Sequence, residues 1–194
     1  MSFFRTIMLV ESYLLIKALI FYLYLKRIFM KTKSIELLNK AVADELSAVH
    51  QYMYFHFHCD DQGYDLLANL FKRTAIEEMG HIELLAERIL FLKGEVKMKN
   101  SQDVKEIHDV KKMLELAAEM ETSSANDYNR WANECAQNAD SVSKKLFEQL
   151  VEDEERHFDQ YDVEMENLNK FGDSYLALQS IERSKNIASG QSSE

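Results

Sequence analysis

Glu78-Met79-Gly80-His81 and Glu154-Glu155-Arg156-His157 each place a carboxylate and an imidazole three positions apart. On a helix, residues i and i+3 share a face, so each segment offers both groups together. A lone glutamate precedes each segment by 33 positions, Glu45 in the first half and Glu121 in the second. The two sets are related by a constant offset of 76 residues, which also relates Tyr52 to Tyr128. Hard carboxylate oxygens with some imidazole suit iron or manganese, and two metals side by side need carboxylates that can bridge them. Two helices giving a Glu each and two giving Glu-x-x-His make the ligand set of a di-iron or di-manganese site inside a four-helix bundle. The expected division puts Glu45 and His81 on one metal and Glu121 and His157 on the other, with Glu78 and Glu154 bridging. A buried, ionised carboxylate without a partner loses several kcal/mol of solvation, so four inward acids imply bound cations. One Glu-x-x-His in a glutamate-rich chain would read as surface charge; two copies at one offset, each with its partner Glu, do not.

The elements that must carry these residues are helices. The 194-residue chain has no proline and five glycines, and nothing else is as effective at interrupting long helices. An all-α fold follows, large enough to bury a core. Ser34 stands as a candidate N-cap ahead of Leu37, Leu38, Ala41, Val42, Glu45, Val49 and Tyr52, an inward stripe at helical spacing. A first helix is expected from about residue 34 to 59, broken by Asp60-Asp61-Gln62-Gly63. A second should run from about 66 to 93 and stop at Gly94. Residues 95 to 108 are polar and aperiodic, a long crossover joining opposite ends of a bundle. A third helix is expected from about 110 to 136, then a turn at Asn138-Ala139-Asp140-Ser141 with Asp140 or Ser141 as cap. A fourth extends to about Phe171, and Gly172-Asp173-Ser174 opens a short fifth through about Lys185. The Ser/Gly/Gln-rich tail at 188–194 reads as disordered.

The formal charge of −10 argues against a nucleic-acid partner and is compatible with attracting cations. Cys59 and Cys135 form no CxxC pair and no disulfide framework, which points to a reducing cytoplasm. Residues 1–29 differ from the rest, with four basic residues against the single Glu11, whereas the chain from Met30 onward carries 19 basic and 32 acidic residues. Their apolar run, Tyr13 to Leu25, is interrupted by Lys17 and is shorter than the roughly 20 apolar residues of a membrane span. No small-x-small cleavage site follows it. The leading expectation is a dispensable extension ahead of a start at Met30, with a domain at 30–187. A membrane anchor and a docked extra helix are the alternatives.

From about Lys33 to Arg183 the chain resembles bacterioferritin. The resemblance rests on Glu45-Leu46 through Gln51-Tyr52, Glu78-Met79-Gly80-His81, Glu87-Arg88-Ile89-Leu90-Phe91-Leu92 with Gly94, Asp140-Ser141-Val142, Asp153-Glu154-Glu155-Arg156-His157, and Lys170-Phe171-Gly172 with Tyr175-Leu176 and Gln179. It implies a ferritin-like four-helix bundle with a long crossover between its second and third helices and a short fifth helix. It further implies two iron ions per subunit in a ferroxidase centre that oxidises Fe(II) with dioxygen or hydrogen peroxide and stores ferric mineral. The shell implied is a homo-oligomer of 24 subunits built from two-fold dimers, with a ferredoxin-type reductant for iron release. The histidine of the second Glu-x-x-His separates this pattern from ordinary non-haem ferritins.

By the same resemblance, Met79 matches an axial ligand of haem b shared between two subunits. A thioether is a reasonable haem ligand, and position i+1 points away from the di-iron site; packing filler is the plainer reading of a helical Met. Gly80, a mid-helix glycine costing about 1 kcal/mol relative to Ala, suits close approach of another helix or a macrocycle. Tyr52 is placed to hydrogen-bond a bridging carboxylate or to donate an electron, whereas Tyr128 reads as core packing. Arg73 and Glu77 stand where the family's inner-surface iron ligands are expected, which puts those ligands in doubt. His50, His56 and His58 fall on different faces and read as core or pore residues, Trp131 as packing, and Cys59 and Cys135 as inert thiols. Two rival functions remain: a rubrerythrin-like di-iron peroxidase, which normally carries CxxC pairs, and a twelve-subunit mini-ferritin protecting against peroxide.

Overall fold

The structure is a computed structural model that describes residues 2–189, helical wherever regular and without strands among those residues. Its helices are α1 Ser2–Asp61, α2 Asp65–Phe91, α3 Val110–Gln137, α4 Ser141–Phe171 and α5 Asp173–Ala188. The expected fifth helix therefore exists and runs slightly further than its sequence signals suggested. Residues 190–194, most of the tail read as disordered, lie outside the described residues.

The main departure from expectation is the start of α1. Neither glycine nor proline occurs between Ser2 and Asp61, and once a helix is nucleated each added residue gains a backbone hydrogen bond. A capping preference of about 1 kcal/mol does not stop such a run. Ser34 is thus no N-cap: it sits in mid-helix, fully buried, with its Oγ 4.0 Å from Cys135 Sγ. The helix continues ahead of Met30, where the described side chains of Tyr13, Leu15, Ile16, Leu19, Ile20, Phe21 and Tyr22 are exposed. No helix among the described residues is long and apolar enough to cross a membrane.

From Ser34 onward the chain forms two helical hairpins, α1–α2 and α3–α4, and each holds one copy of the 76-residue repeat. Their turns close alike. Gly63, Lys93 and Ala139 take positive φ at the ends of α1, α2 and α3, and the amides of Tyr64, Gly94 and Asp140 reach back to the carbonyls of Cys59, Ile89 and Cys135. The stop of α2 therefore rests on Lys93 rather than Gly94. Gly94 is needed for another reason, since a Cβ there would come within 2.8 Å of Ile35 on α1. Asp140 caps α4 through Ser143 N at 3.1 Å and also binds Arg88 of α2 at 2.5 Å, tying the two hairpins together.

The crossover from Leu92 to Asp109 runs alongside α1 and in the same direction. Lys97 N donates to Asn39 Oδ1, Ser101 N to Ser47 Oγ, and Lys105 N to Gln51 Oε1, at 2.8 to 2.9 Å. It thereby carries the chain from one end of the bundle to the other, so that α3 runs parallel to α2. Inside, the core falls into two apolar layers. One contains Tyr52, Phe55, Phe71, Met113, Leu114 and Tyr161; the other contains Leu38, Val42, Leu85, Ile89, Tyr128, Trp131, Phe147 and Leu150. Along α1, α2, α3 and α4 the predicted ligands fall between these layers, and a thin polar stratum is sealed above and below by hydrocarbon.

Candidate metal centre

Glu45 on α1, Glu78 and His81 on α2, Glu121 on α3, and Glu154 and His157 on α4 converge in that stratum, each at most 5% exposed. Their donor atoms form two overlapping sets. Glu45, Glu78, His81 and Glu154 make one, and Glu78, Glu121, Glu154 and His157 the other, with all donor atoms of a set within 4.8 Å of one another. Glu78 and Glu154 belong to both.

The geometry inside each set is not that of hydrogen bonding. His81 Nδ1 lies 2.6 Å from Glu78 and 3.3 Å from Glu45, and His157 Nδ1 lies 3.0 Å from Glu78 and 3.4 Å from Glu154. Yet both Nδ1 atoms, both Glu78 oxygens and Glu154 Oε1 are buried without an aligned hydrogen-bond partner. Each belongs to a set whose donor atoms lie close enough together to hold a metal ion. Buried polar atoms are nearly always paired, and an orphaned set of hard oxygens and imidazole nitrogens fits two cations of the iron or manganese type. Electrostatics agree. Burial, and the charge of Glu78 on its neighbour, raise the carboxyls of Glu45 and Glu121 above their ordinary range; burial, with the charges of Glu45 and Glu78, does the same to Glu154. Burial would also raise Glu78, but the two imidazoles outweigh it and hold this carboxyl low. Burial alone would lower both histidines; the surrounding glutamates instead raise them. Without cations the stratum must therefore retain protons that metal ligation would displace.

Both tyrosines of the repeat hold a lone glutamate. Tyr52 OH donates to Glu121 Oε1 at 2.5 Å, and Tyr128 OH donates to Glu45 Oε1 at 2.7 Å. One expectation is corrected here and one extended. Tyr52 holds the glutamate of the opposite hairpin rather than Glu78 or Glu154, and Tyr128, buried in the core as expected, performs the same task in reverse. The exchange is what a two-fold relation between hairpins requires.

Sequence reasoning missed a further pair. His81 Nε2 lies 3.4 Å from Asp153 and His157 Nε2 lies 2.9 Å from Glu77, so each imidazole is backed by a carboxylate from the opposite helix. Residues 77 and 153 obey the same offset of 76, the signal that would have found them. Glu77 is engaged with His157 and Arg156, and Arg73 is exposed and donates to Gln160 Oε1 at 3.4 Å.

Met79 points away from the stratum and is 49% exposed, and a Cβ on neighbouring Gly80 would meet nothing within 4 Å. Among the histidines singled out, His50 is exposed, His56 Nδ1 lies 2.9 Å from Ala68 O, and His58 packs on His108 with ring centroids 4.4 Å apart. Trp131 is buried against Tyr128 and Phe147. The thiols of Cys59 and Cys135 are free, buried and pushed up by that burial to about 12 and about 11, which leaves them unreactive.

Fold and site together define a ferritin-like bundle with a dinuclear carboxylate centre, and the family model described as a ferritin-like domain matches residues 35–171. A bacterioferritin of Desulfovibrio desulfuricans is 39% identical over 147 residues, covering 76% of this chain and 82% of its own. One of Brucella melitensis is 35% identical over 141 residues, covering 73% and 88%. An X-ray structure of the Desulfovibrio desulfuricans bacterioferritin, showing its diiron site in different catalytic states, superposes with a TM-score of 0.78 at 38% identity, covering 79% of this chain and 90% of that one. The Rhodobacter capsulatus bacterioferritin, with a metal-free dinuclear site and a haem iron, gives 0.73 at 32% identity, covering 77% and 93%. The chain belongs to the bacterioferritin family.

Proposed function

We propose that this chain is a ferroxidase and iron-storage subunit that takes up two Fe(II) ions at the paired donor sets and passes ferric iron to a mineral inside a hollow shell. The carrying observation is that two buried donor sets share Glu78 and Glu154, while both Glu78 oxygens, Glu154 Oε1 and the two imidazole Nδ1 atoms have no hydrogen-bond partner. Glu45 and His81 would complete one position, Glu121 and His157 the other, and the two shared carboxylates would bridge. Iron supplies the electrons: two Fe(II) give one each, reducing hydrogen peroxide and two protons to two waters, or dioxygen and two protons to hydrogen peroxide. The protein's own residues do the rest. Tyr52 and Tyr128 hold the two lone glutamates, and the apolar layers on either side keep bulk water away.

The family supports a shell of 24 subunits built from two-fold dimers, working in the cytoplasm and discharged by a ferredoxin-type reductant. A second copy would cover the outer face of α2, where Ile76, Met79, Leu84, Leu90 and Phe91 are exposed. Haem b fits that face, because Met79 offers one thioether beside the open backbone of Gly80 and a two-fold copy would offer the other. Residues 30–187 form the iron-handling domain, and residues 1–29 are a dispensable extension. The test of the centre is Glu78→Ala or Glu154→Ala in the assembled protein. Either should abolish rapid Fe(II) oxidation, followed by absorbance after mixing with dioxygen or peroxide, because a ligand is lost from both positions. Initial rates equal to wild type in either variant would refute the bridging assignment.

A further inference from the structure

Arg156 interrupts the internal symmetry at the one place where both histidines are supported. Its Nη1 lies 2.8 Å from Glu77 Oε2 and its Nη2 lies 2.9 Å from Asp153 Oδ1. These are the two carboxylates that stand behind His157 and His81. One guanidinium therefore joins α2 to α4 and touches both carboxylate–imidazole pairs. By the offset of 76, the counterpart of Arg156 is Gly80. Glycine supplies no side chain there, and a Cβ built on it would meet nothing within 4 Å. A single guanidinium thus serves two symmetric anions, and among the described residues no other Arg or Lys pairs with either.

We infer that Arg156 is a positioning residue for the dinuclear centre: it pins Glu77 and Asp153 so that both imidazoles present Nδ1 to the metal positions. This inference rests on the proposed metal-binding reading. The planar fork suits the task, since it can hold two carboxylates at once in fixed directions, as an ammonium cannot. The two grips are unequal. Arg156 and His157 share one oxygen of Glu77, with the imidazole at 2.9 Å, whereas Asp153 gives one oxygen to Arg156 and the other to His81 at 3.4 Å. The His81 side is held by the longer contact and depends more on Asp153 staying in place. Arg156 is about half exposed, so its worth to global stability is small; its effect lies in orientation, the property on which metal affinity depends when outer partners of ligating histidines are removed.

The test uses the full-length assembled protein with zinc, a redox-inert divalent probe. Wild type, Arg156→Ala and Arg156→Lys are compared by calorimetric titration and by crystal structures of the metal-free forms. Arg156→Ala should lose about tenfold or more in zinc affinity, at the lower end of what loss of such support produces, and should show the His81 ring displaced, with melting temperature and shell size unchanged. Arg156→Lys should recover part of the affinity. Wild-type zinc affinity and unmoved imidazoles in Arg156→Ala would overturn the inference, as would a loss of affinity matched by a loss of melting temperature, which marks a merely structural role. If wild type took up no zinc while Arg156→Ala still displaced the rings, the metal reading would fall and the positioning role would stand.

Discussion

Replacing Tyr128 with Phe removes one hydroxyl and leaves the ring packed between Trp131 and Phe147, so no cavity forms. What is lost is the 2.7 Å bond to Glu45 Oε1, both residues being buried. The loss should differ between the empty and the loaded centre. Without cations Glu45 keeps its proton, raised by burial and by the charge of Glu78 to about 8, and the bond to a neutral acid is worth about 1 kcal/mol. With a cation bound Glu45 is a carboxylate, and a bond to a charged acceptor is worth about 1.5 to 3 kcal/mol. The difference, about 0.5 to 2 kcal/mol, must appear as weaker metal binding, roughly twofold to thirtyfold at one of the two positions. Zinc titration of the assembled variant should therefore show one weakened and one near-native position. The metal-free variant should melt about 2 to 4 °C below wild type. Tyr52→Phe should give the mirror result at the Glu121 position. Two unaltered zinc affinities in Tyr128→Phe would refute the argument that the hydroxyl holds the ligand.

Met79→Leu keeps an apolar side chain of similar volume but removes the thioether; the purified variant should lack the haem absorbance while oxidising Fe(II) at the wild-type rate, and haem at full occupancy would exclude Met79 as its ligand. Truncation to a chain beginning at Met30 retains every proposed ligand and the whole bundle, so it should assemble and oxidise iron as well as the full chain and stay in solution better. Size-exclusion chromatography with light scattering checks this, and a truncated chain that fails to assemble would assign residues 1–29 a part in the shell.

The bundle and its candidate metal-binding residues were legible because they obey periodicity: inward stripes at helical spacing, glycine or polar breaks between them, and a Glu/His set repeated at one offset. Three features were not legible, for separate reasons. The true extent of α1 escaped because Ser34 has the chemistry of a cap, and that local signal outweighed the lack of glycine and proline ahead of it. The hydroxyl of Tyr128 escaped because a tyrosine among apolar residues looks the same whether its oxygen is satisfied by a ligand or by the backbone. Which partner it takes depends on α1 and α3 lying face to face, a tertiary fact. Gly94 was read as a helix stop, although the positive φ belongs to Lys93 and the glycine answers to Ile35 across the hairpin.

The offset of 76 holds where the two halves face each other and fails where they face away. Glu45, Tyr52, Glu78 and His81 find like residues in the second half, and Glu77 finds the like-charged Asp153, because a centre with two equivalent metal positions asks the same of both hairpins. Met79 and Gly80 instead find Glu155 and Arg156. On α2 these positions belong to an exposed apolar face, and on α4 to an exposed charged one. The environments outside the bundle are different, so no common residue satisfies both. Arg156 lies on the boundary between these regimes, its α-carbon on the divergent face and its guanidinium on the symmetric carboxylates. An asymmetric residue can therefore serve a symmetric centre, provided that its counterpart, here Gly80, leaves the space open.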